Sequence, residues 1–101
     1  MGNAQRRRPA KVRRVVWTDE ARSNLAAIRG YIAEFSPLAA QRFALKLVRT
    51  AESLAENPGR GRPVVRQHRE LAIIRPYLVR YRIEGDTVFI LRIRHAARIP
   101  S

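Results

Sequence analysis

Cysteine is absent from this 101-residue chain. That excludes a disulfide framework and any zinc site built on thiolates, and it removes one argument for export. Long apolar runs are missing too, since no stretch approaches the ~20 residues that a membrane-spanning helix needs. The first six residues, Met1 to Arg6, lack the Ser or Thr of a myristoylation signal and the apolar centre of a secretory one. The expectation is a cytoplasmic protein with no membrane partner. Histidine is scarce, with only His68 and His95, and the eight acids are spread so that nothing has metal-ligand spacing. No Walker, Rossmann or serine-hydrolase motif occurs, and Gly59 and Gly61 neither follow a strand nor open a helix. No metal and no cofactor are expected. Lysine is nearly missing as well, with Lys11 and Lys46 set against nineteen arginines.

What is present is an excess of guanidinium. Lys and Arg number 21 against eight Asp and Glu, for a formal charge of +13. Residues 1–17 carry six basic groups and no acid, whereas residues 18–57 carry five of each sign. Residues 58–82 carry seven arginines against Glu70, and residues 83–101 three arginines against Glu84 and Asp86. The middle of the chain is therefore neutral, and the excess sits on the N-terminal arm and the C-terminal half. Arginine presents a planar fork suited to carboxylates and phosphates. The partner that this charge predicts is acidic, either nucleic acid, a nucleoprotein or an acidic polypeptide. A hydrophobic content of 46% supports one globular domain, with the marginal core that a chain this short allows.

Residues 1–11, with Arg6-Arg7-Arg8 and little apolar content, read as a flexible basic arm. A solvated tail is the first reading, and nonspecific attraction to nucleic acid the second. The domain is expected over residues 12–101. Val12 to Trp17 predicts a strand, and Thr18 an N-cap, with Asp19 and Glu20 favourable at the positive end of the following helix. Ala21, Leu25, Ile28, Ile32 and Phe35 form one apolar stripe at helical spacing. Ser36-Pro37 stops that helix and starts a second, because the residue before proline disfavours helical backbone while proline suits the first helical position. Ala40, Phe43, Ala44, Leu47, Ala51 and Leu54 make the second stripe, and Asn57-Pro58-Gly59 ends it. So short a link makes the two helices an αα-hairpin. Gly59 to Pro63 is a basic loop, followed by strands at Glu70–Arg75, Tyr77–Ile83 and Thr87–Arg94. The fold class is α+β: an N-terminal strand, the αα-hairpin, then a three-strand antiparallel meander, all in one sheet.

The final hairpin decides where the arginines point. A three-residue loop at Glu84-Gly85-Asp86 sets Val79, Tyr81 and Ile83 opposite Leu91, Phe89 and Thr87 on the core side. Arg80, Arg82, Arg92 and Arg94 then share the other side with Leu78, Val88 and Ile90. A two-residue loop at Gly85-Asp86 mixes arginine with Phe89 and Leu91. The first register is favoured because it separates core from charge, and a slip of one residue moves every side chain to the other face.

Arg69, Arg80, Arg82, Arg92 and Arg94, with His95 at the end of the last strand, are the candidates to line one concavity. In one reading they handle a phosphate during RNA cleavage, with His95 as acid or base. In the favoured reading the arginines clasp an acidic partner and His95 makes a structural hydrogen bond. A second proton-transfer group is missing: no tyrosine or lysine follows position 81, and Glu70 is the sole acid between residues 57 and 83. Tyr77 and Tyr81 fall on the core side. Trp17 is read as a core anchor at the strand–helix corner rather than a base-stacking platform. Tyr31 is likewise read as core, ahead of a contact with a partner.

Taken together, these residues resemble the RelE/ParE superfamily of type II toxins, and its ParE branch more than its RelE branch. The resemblance runs through Trp17, Ala21, Leu25, Ile28, Tyr31 and Ile32, then Ser36-Pro37-Leu38-Ala39-Ala40, Phe43, Leu54, Pro58 and Gly61-Arg62. It continues through Arg69-Glu70-Leu71, Pro76-Tyr77, Tyr81-Arg82-Ile83, Val88, Ile90-Leu91-Arg92 and His95-Ala96-Ala97-Arg98. It implies a helical hairpin packed on an antiparallel sheet and an acidic, ParD-like antitoxin held in a hetero-oligomer. It also implies a role in growth arrest and plasmid or chromosome maintenance. ParE-type relatives poison DNA gyrase and need no catalytic residues. RelE-type relatives cut messenger RNA in the ribosome, some with a Glu/Arg/His/Tyr set. For that alternative the residues would be His95, Arg69, Arg82 and Arg92, but Ala96 stands where the tyrosine should follow. Under the ParE reading Arg80, Arg82, Arg92, Arg94, His95 and Arg98 face the target, while Leu25, Ile28, Tyr31, Phe43, Leu47 and Arg69 bind the antitoxin.

Overall fold

Each helix start is set by one hydroxyl. Thr18 Oγ1 accepts the Ala21 amide at 3.1 Å and opens α1 (Asp19–Ala33). Ser36 Oγ accepts the Ala39 amide at 3.1 Å and opens α2 (Pro37–Glu52), with proline at its first position. Both satisfy amides that the helix itself leaves unpaired. The computed structural model describes residues 12–97, so the basic arm of residues 1–11 and Arg98 lie outside the described residues. The strands are β1 (Arg14–Trp17), β2 (Arg62–Pro63), β3 (His68–Ile74), β4 (Tyr77–Glu84) and β5 (Thr87–His95).

The five strands form one sheet in the order β1-β5-β4-β3-β2. This is α+β, with two differences from the expected four strands. The N-terminal strand lies parallel to β5, because the helical hairpin carries the chain across the sheet before it returns. The basic loop also contributes a strand, β2, which pairs Arg62 with Glu70 and Pro63 with Arg69. Proline is tolerated there because β2 is an edge strand. The helices cover one side of the sheet, where Ala21, Phe43, Leu47, Ala51 and Leu54 pack on Val79, Tyr81, Val88, Ile90 and Ile93. Trp17 is half-buried and packs against this core, with its Nε1 directed at Glu52 Oε2 at 3.4 Å. Tyr31 departs from expectation: it is 59% exposed and stacks edge-on against Phe35, which is 74% exposed. Phe35 continues the sequence spacing of the apolar stripe, but α1 ends at Ala33, so helical periodicity no longer places it.

The favoured hairpin register is overturned. Glu84 pairs with Thr87, leaving the two-residue turn Gly85-Asp86, and Gly85 takes the left-handed φ of 61° that glycine tolerates at the first central position. Val88 and Ile90, not Phe89 and Leu91, are therefore the core residues. Arg82 stands opposite Phe89 with its guanidinium 5.2 Å from the ring centre. Core and charge nonetheless stay separated, because β5 carries one extra residue. Tyr81 pairs with Ile90 but Arg80 pairs with Arg92, so Leu91 forms a bulge and the alternation shifts in step.

The start of α1 fastens this bulge. The Thr18 hydroxyl lies 3.0 Å from both the Ile90 and Leu91 carbonyl oxygens, and Asn24 Oδ1 accepts the Ile93 amide at 2.9 Å. Ile93 is buried, so Asn24→Ala leaves that amide without an acceptor. A loss of about 1–3 kcal/mol is expected. It should show as a lower urea midpoint at unchanged slope. An unchanged midpoint would mean that water replaces the amide's partner.

Candidate functional site

The side of the sheet away from the helices carries His68, Glu70, Leu78, Arg80, Arg82, Phe89, Arg92 and Arg94, as the registers of β3, β4 and β5 dictate. Strand alternation puts these residues on one side wherever their neighbours face the core. At the centre is Glu70, which is only 3% exposed. Its Oε2 accepts Arg94 Nε at 3.0 Å and Arg80 Nε at 3.1 Å, and its Oε1 accepts Arg94 Nη2 at 3.2 Å. Arg62 Nη2 from β2 lies 4.0 Å from Oε1. Burial alone raises the carboxyl pKa. The hydrogen bonds from Arg94 and Arg80 and their charges outweigh it, so Glu70 stays ionised below the usual carboxylate range.

The arginines expected to face a target therefore divide into two pairs. Arg80 and Arg94 are tied to Glu70. Arg82 and Arg92 are held more loosely: Arg82 Nη2 reaches the exposed Glu84 carboxylate at 3.0 Å, and Arg92 Nε lies 3.8 Å from Glu20. His68 joins this side, with Arg80 Nη1 3.3 Å from its Nδ1. Burial, followed by the charges of Arg80, Arg82, Arg92 and Arg66, pushes the His68 pKa below its ordinary value.

His95 is elsewhere. It pairs with Tyr77 across the hairpin and shares the helix side of the sheet with Ile93. Its ring meets Tyr77 edge-on at 5.4 Å, Tyr77 meets Phe43 in the same way, and the Ala97 amide donates to His95 Nδ1 at 3.1 Å. The structure thus separates His95 from Arg82 and Arg92, with which the sequence grouped it. Arg69 also points to the helix side, where its Nη1 donates to the Gly61 carbonyl at 2.7 Å.

The other expected partner surface is the helical hairpin. Leu25 and Ile28 are half-buried, and Tyr31 is exposed. Leu47 is fully buried and has no surface to offer, which removes it from the expected contact set. Phe43 is buried in the core but contributes to the floor of a groove of about 350 Å³ between α2 and β3. Leu38 and Ile74 add apolar wall, and Arg42 and Lys46 form a basic rim. Sequence reasoning missed three features: Glu70 as the hub, His68 as the imidazole beside the arginines, and this groove. The signal for the first was present, because a lone acid among seven arginines is the natural centre of their ion pairs. The other two depend on register and tertiary packing. Among the described residues no group of His, Asp or Glu is placed to hold a metal ion, and no helix is long and apolar enough to cross a membrane.

A family model for the ParE toxin of the type II toxin–antitoxin system parDE matches residues 15–100. The curated Toxin RelE2 of Caulobacter vibrioides is 55% identical over 85 residues, which are 84% of this chain and 97% of that protein. Among solved structures, a chain of the chromosomal ParDE system from P. aeruginosa matches with a TM-score of 0.74 at 30% identity, covering 85% of this chain and 98% of that one. A chain of the RelBE2 toxin–antitoxin complex from Mycobacterium tuberculosis matches with a TM-score of 0.61 at 28% identity, covering 86% and 94%.

Proposed function

Because the chain belongs to the ParE toxin family of type II toxin–antitoxin systems, we propose that it arrests growth by poisoning DNA gyrase and is neutralised by a ParD-like acidic antitoxin. The observation that carries the gyrase reading is the separation of His95 from the arginines. A histidine-driven RNA cleavage through His95 needs the imidazole and the phosphate-binding groups on one side of the sheet, and here the sheet lies between them. Poisoning a topoisomerase asks only for a surface, and the guanidinium face offers a rigid one: Arg80, Arg82, Arg92 and Arg94 project from neighbouring strands, two of them fixed by Glu70.

The hairpin side suits the antitoxin. Tyr31 and Phe35 are exposed at the end of α1, and Leu38 lines the groove, which also holds Phe43 and Ile74 and carries Arg42 and Lys46. An acidic segment that folds on binding would cover the apolar groups and answer the two cations. Such a partner also raises the stability of a small domain by mass action.

Purified protein added to a gyrase supercoiling reaction should inhibit it and accumulate cleaved DNA. Unaltered gyrase, together with loss of messenger RNA in cells that express the protein, would replace this reading with the ribonuclease one.

A further inference from the structure

Strand β5 carries four consecutive apolar residues, Val88-Phe89-Ile90-Leu91, before Arg92. Either alternate pair, Val88 with Ile90 or Phe89 with Leu91, is chemically fit to fill the core. Hydrophobic pattern alone therefore does not choose between registers one residue apart. The observed ladder buries Val88 and Ile90, and it needs the extra residue at Leu91 to bring Ile93 opposite Val79. A second ladder competes with it. Continuing the Val79–Ile93 and Arg80–Arg92 register without a bulge sets Tyr81 opposite Leu91 and Ile83 opposite Phe89. The extra residue then sits in a three-residue turn, Gly85-Asp86-Thr87, a loop length that hairpins accept. In that ladder Phe89 turns inward and Ile90 outward, so Arg82 faces Ile90 in place of the Phe89 ring, 5.2 Å away, that it covers here.

Thr18 tells the two ladders apart. In a regular strand successive carbonyls point to opposite edges, so one neighbouring hydroxyl meets only one of them. The Thr18 hydroxyl lies 3.0 Å from the carbonyl oxygens of both Ile90 and Leu91, a contact that the bulge creates and the unbulged ladder forbids. The Thr18 amide also donates to the Ile90 carbonyl, at 3.1 Å. Further along α1, Asn24 accepts the Ile93 amide at 2.9 Å, beyond the extra residue. One helix therefore grips β5 on both sides of Leu91 and sets how many residues lie between the grips.

We propose that Thr18 is a positioning residue for the guanidinium face. By holding the extra residue of β5 at Leu91 it excludes the unbulged ladder and keeps Phe89, not Ile90, opposite Arg82. The role is separate from helix capping, although one oxygen performs both. Capping uses the oxygen as acceptor for the Ala21 amide, whereas the bulge uses the hydroxyl proton. An aspartate at this position keeps the first role and loses the second, because an ionised carboxylate caps a helix but has no proton to give the two carbonyls. The effect of Thr18 on inhibition rests on the gyrase reading above; its effect on the register does not.

The test uses the absence of cysteine, which makes an introduced thiol the only one in the full chain. Ile90→Cys and Val79→Cys each place a thiol at a fully buried position. Residue 79 stays on the core side in both ladders, whereas residue 90 turns outward in the unbulged one. Thr18→Asp should speed maleimide labelling at position 90 by about tenfold or more relative to position 79. Thr18→Ser, which keeps the hydroxyl, should restore the wild-type ratio. An equal rise at both positions would mean that Thr18 contributes stability alone, and an unchanged ratio that the bulge needs no Thr18; either overturns the proposal. If Thr18→Asp fails to fold, Thr18→Gly decides by the same ratio, since glycine is also accepted at a helix N-cap. In the supercoiling reaction, at equal amounts of folded protein, Thr18→Asp should inhibit about tenfold less than Thr18→Ser. Full inhibition by Thr18→Asp with an altered labelling ratio would overturn its role for the face. If the wild type leaves gyrase unaltered, the gyrase reading fails by itself, and the labelling ratio still decides whether Thr18 sets the register.

Discussion

Glu70→Ala is expected to lower the urea midpoint by on the order of 1–2 M, a loss of about 2–3 kcal/mol. The carboxylate is almost wholly buried, and it is the acceptor for two arginines on neighbouring strands. Removing one partner of a buried ion pair typically costs about 3–5 kcal/mol, because the opposite charge is left without compensation. Arg80 and Arg94 are 21% and 25% exposed, so water recovers part of that cost and the lower figure applies. A domain of this size has about 5–15 kcal/mol in total, so the loss is large. The acid response changes with it. The folded pKa of Glu70 lies below the ordinary 4.5, so its contribution is complete above that value and is lost as pH falls through the folded value. His68, lowered from 6.5, acts in the same direction, because protonation is easier in the unfolded chain. The wild type should therefore weaken first below about 6.5 and again below about 4.5, and Glu70→Ala should lack the second step. Superimposable acid profiles would show that the glutamate contributes nothing as a charge.

Gly61→Ala carries the other large effect. A Cβ at this position would lie 2.7 Å from Tyr81 Oη, 2.8 Å from the Glu70 carbonyl oxygen and 2.9 Å from Tyr81 Cε1. None of these can retreat. The tyrosine is fully buried, its hydroxyl donates to the Pro58 carbonyl at 2.6 Å and accepts the Gly61 amide at 2.8 Å, and the carbonyl belongs to β3. Overpacking costs about 1–3 kcal/mol. Displacing the hydroxyl from both partners adds about 1 kcal/mol. Calorimetry should show a fall in Tm of about 10 °C or more. Gly59→Ala is the control, because a Cβ there meets nothing within 4 Å, and its Tm should barely move. Equal effects at the two glycines would mean that loop entropy, not the close approach to Tyr81, sets the cost.

Much of this architecture was legible in the order of residues because the signals are local. Thr18 and Ser36-Pro37 mark helix starts by the chemistry of a hydroxyl and a ring, and the structure uses both as read. The second apolar stripe fills the core where its spacing put it, from Ala40 to Leu54. The hairpin register was not legible, because the expectation assumed an unbroken ladder. A bulge adds one residue with no local signature, and Leu91 differs from its neighbours only in where the chain has Thr18 and Asn24 waiting to hold it. The two-residue turn moved Val88 and Ile90 to the core and Phe89 to the arginines, and the extra residue at Leu91 then returned Arg92 and Arg94 to the outer side. His95 lies on the helix side with Ile93, on the side opposite Arg92 and Arg94, as strand alternation alone requires. The candidate site was half legible: Arg80, Arg82, Arg92 and Arg94 were singled out, whereas Glu70 and His68 gain their meaning from the pairing of β3 with β4.

The supercoiling reaction tests the central claim most directly when it compares three proteins: the wild type, His95→Ala, and Arg82→Gln/Arg92→Gln. With inhibition residing on the guanidinium face, His95→Ala should inhibit gyrase as the wild type does, and the double arginine variant should be weaker by about tenfold or more. An inert His95→Ala beside a fully inhibitory arginine variant would place the activity on the other side of the sheet and contradict the account.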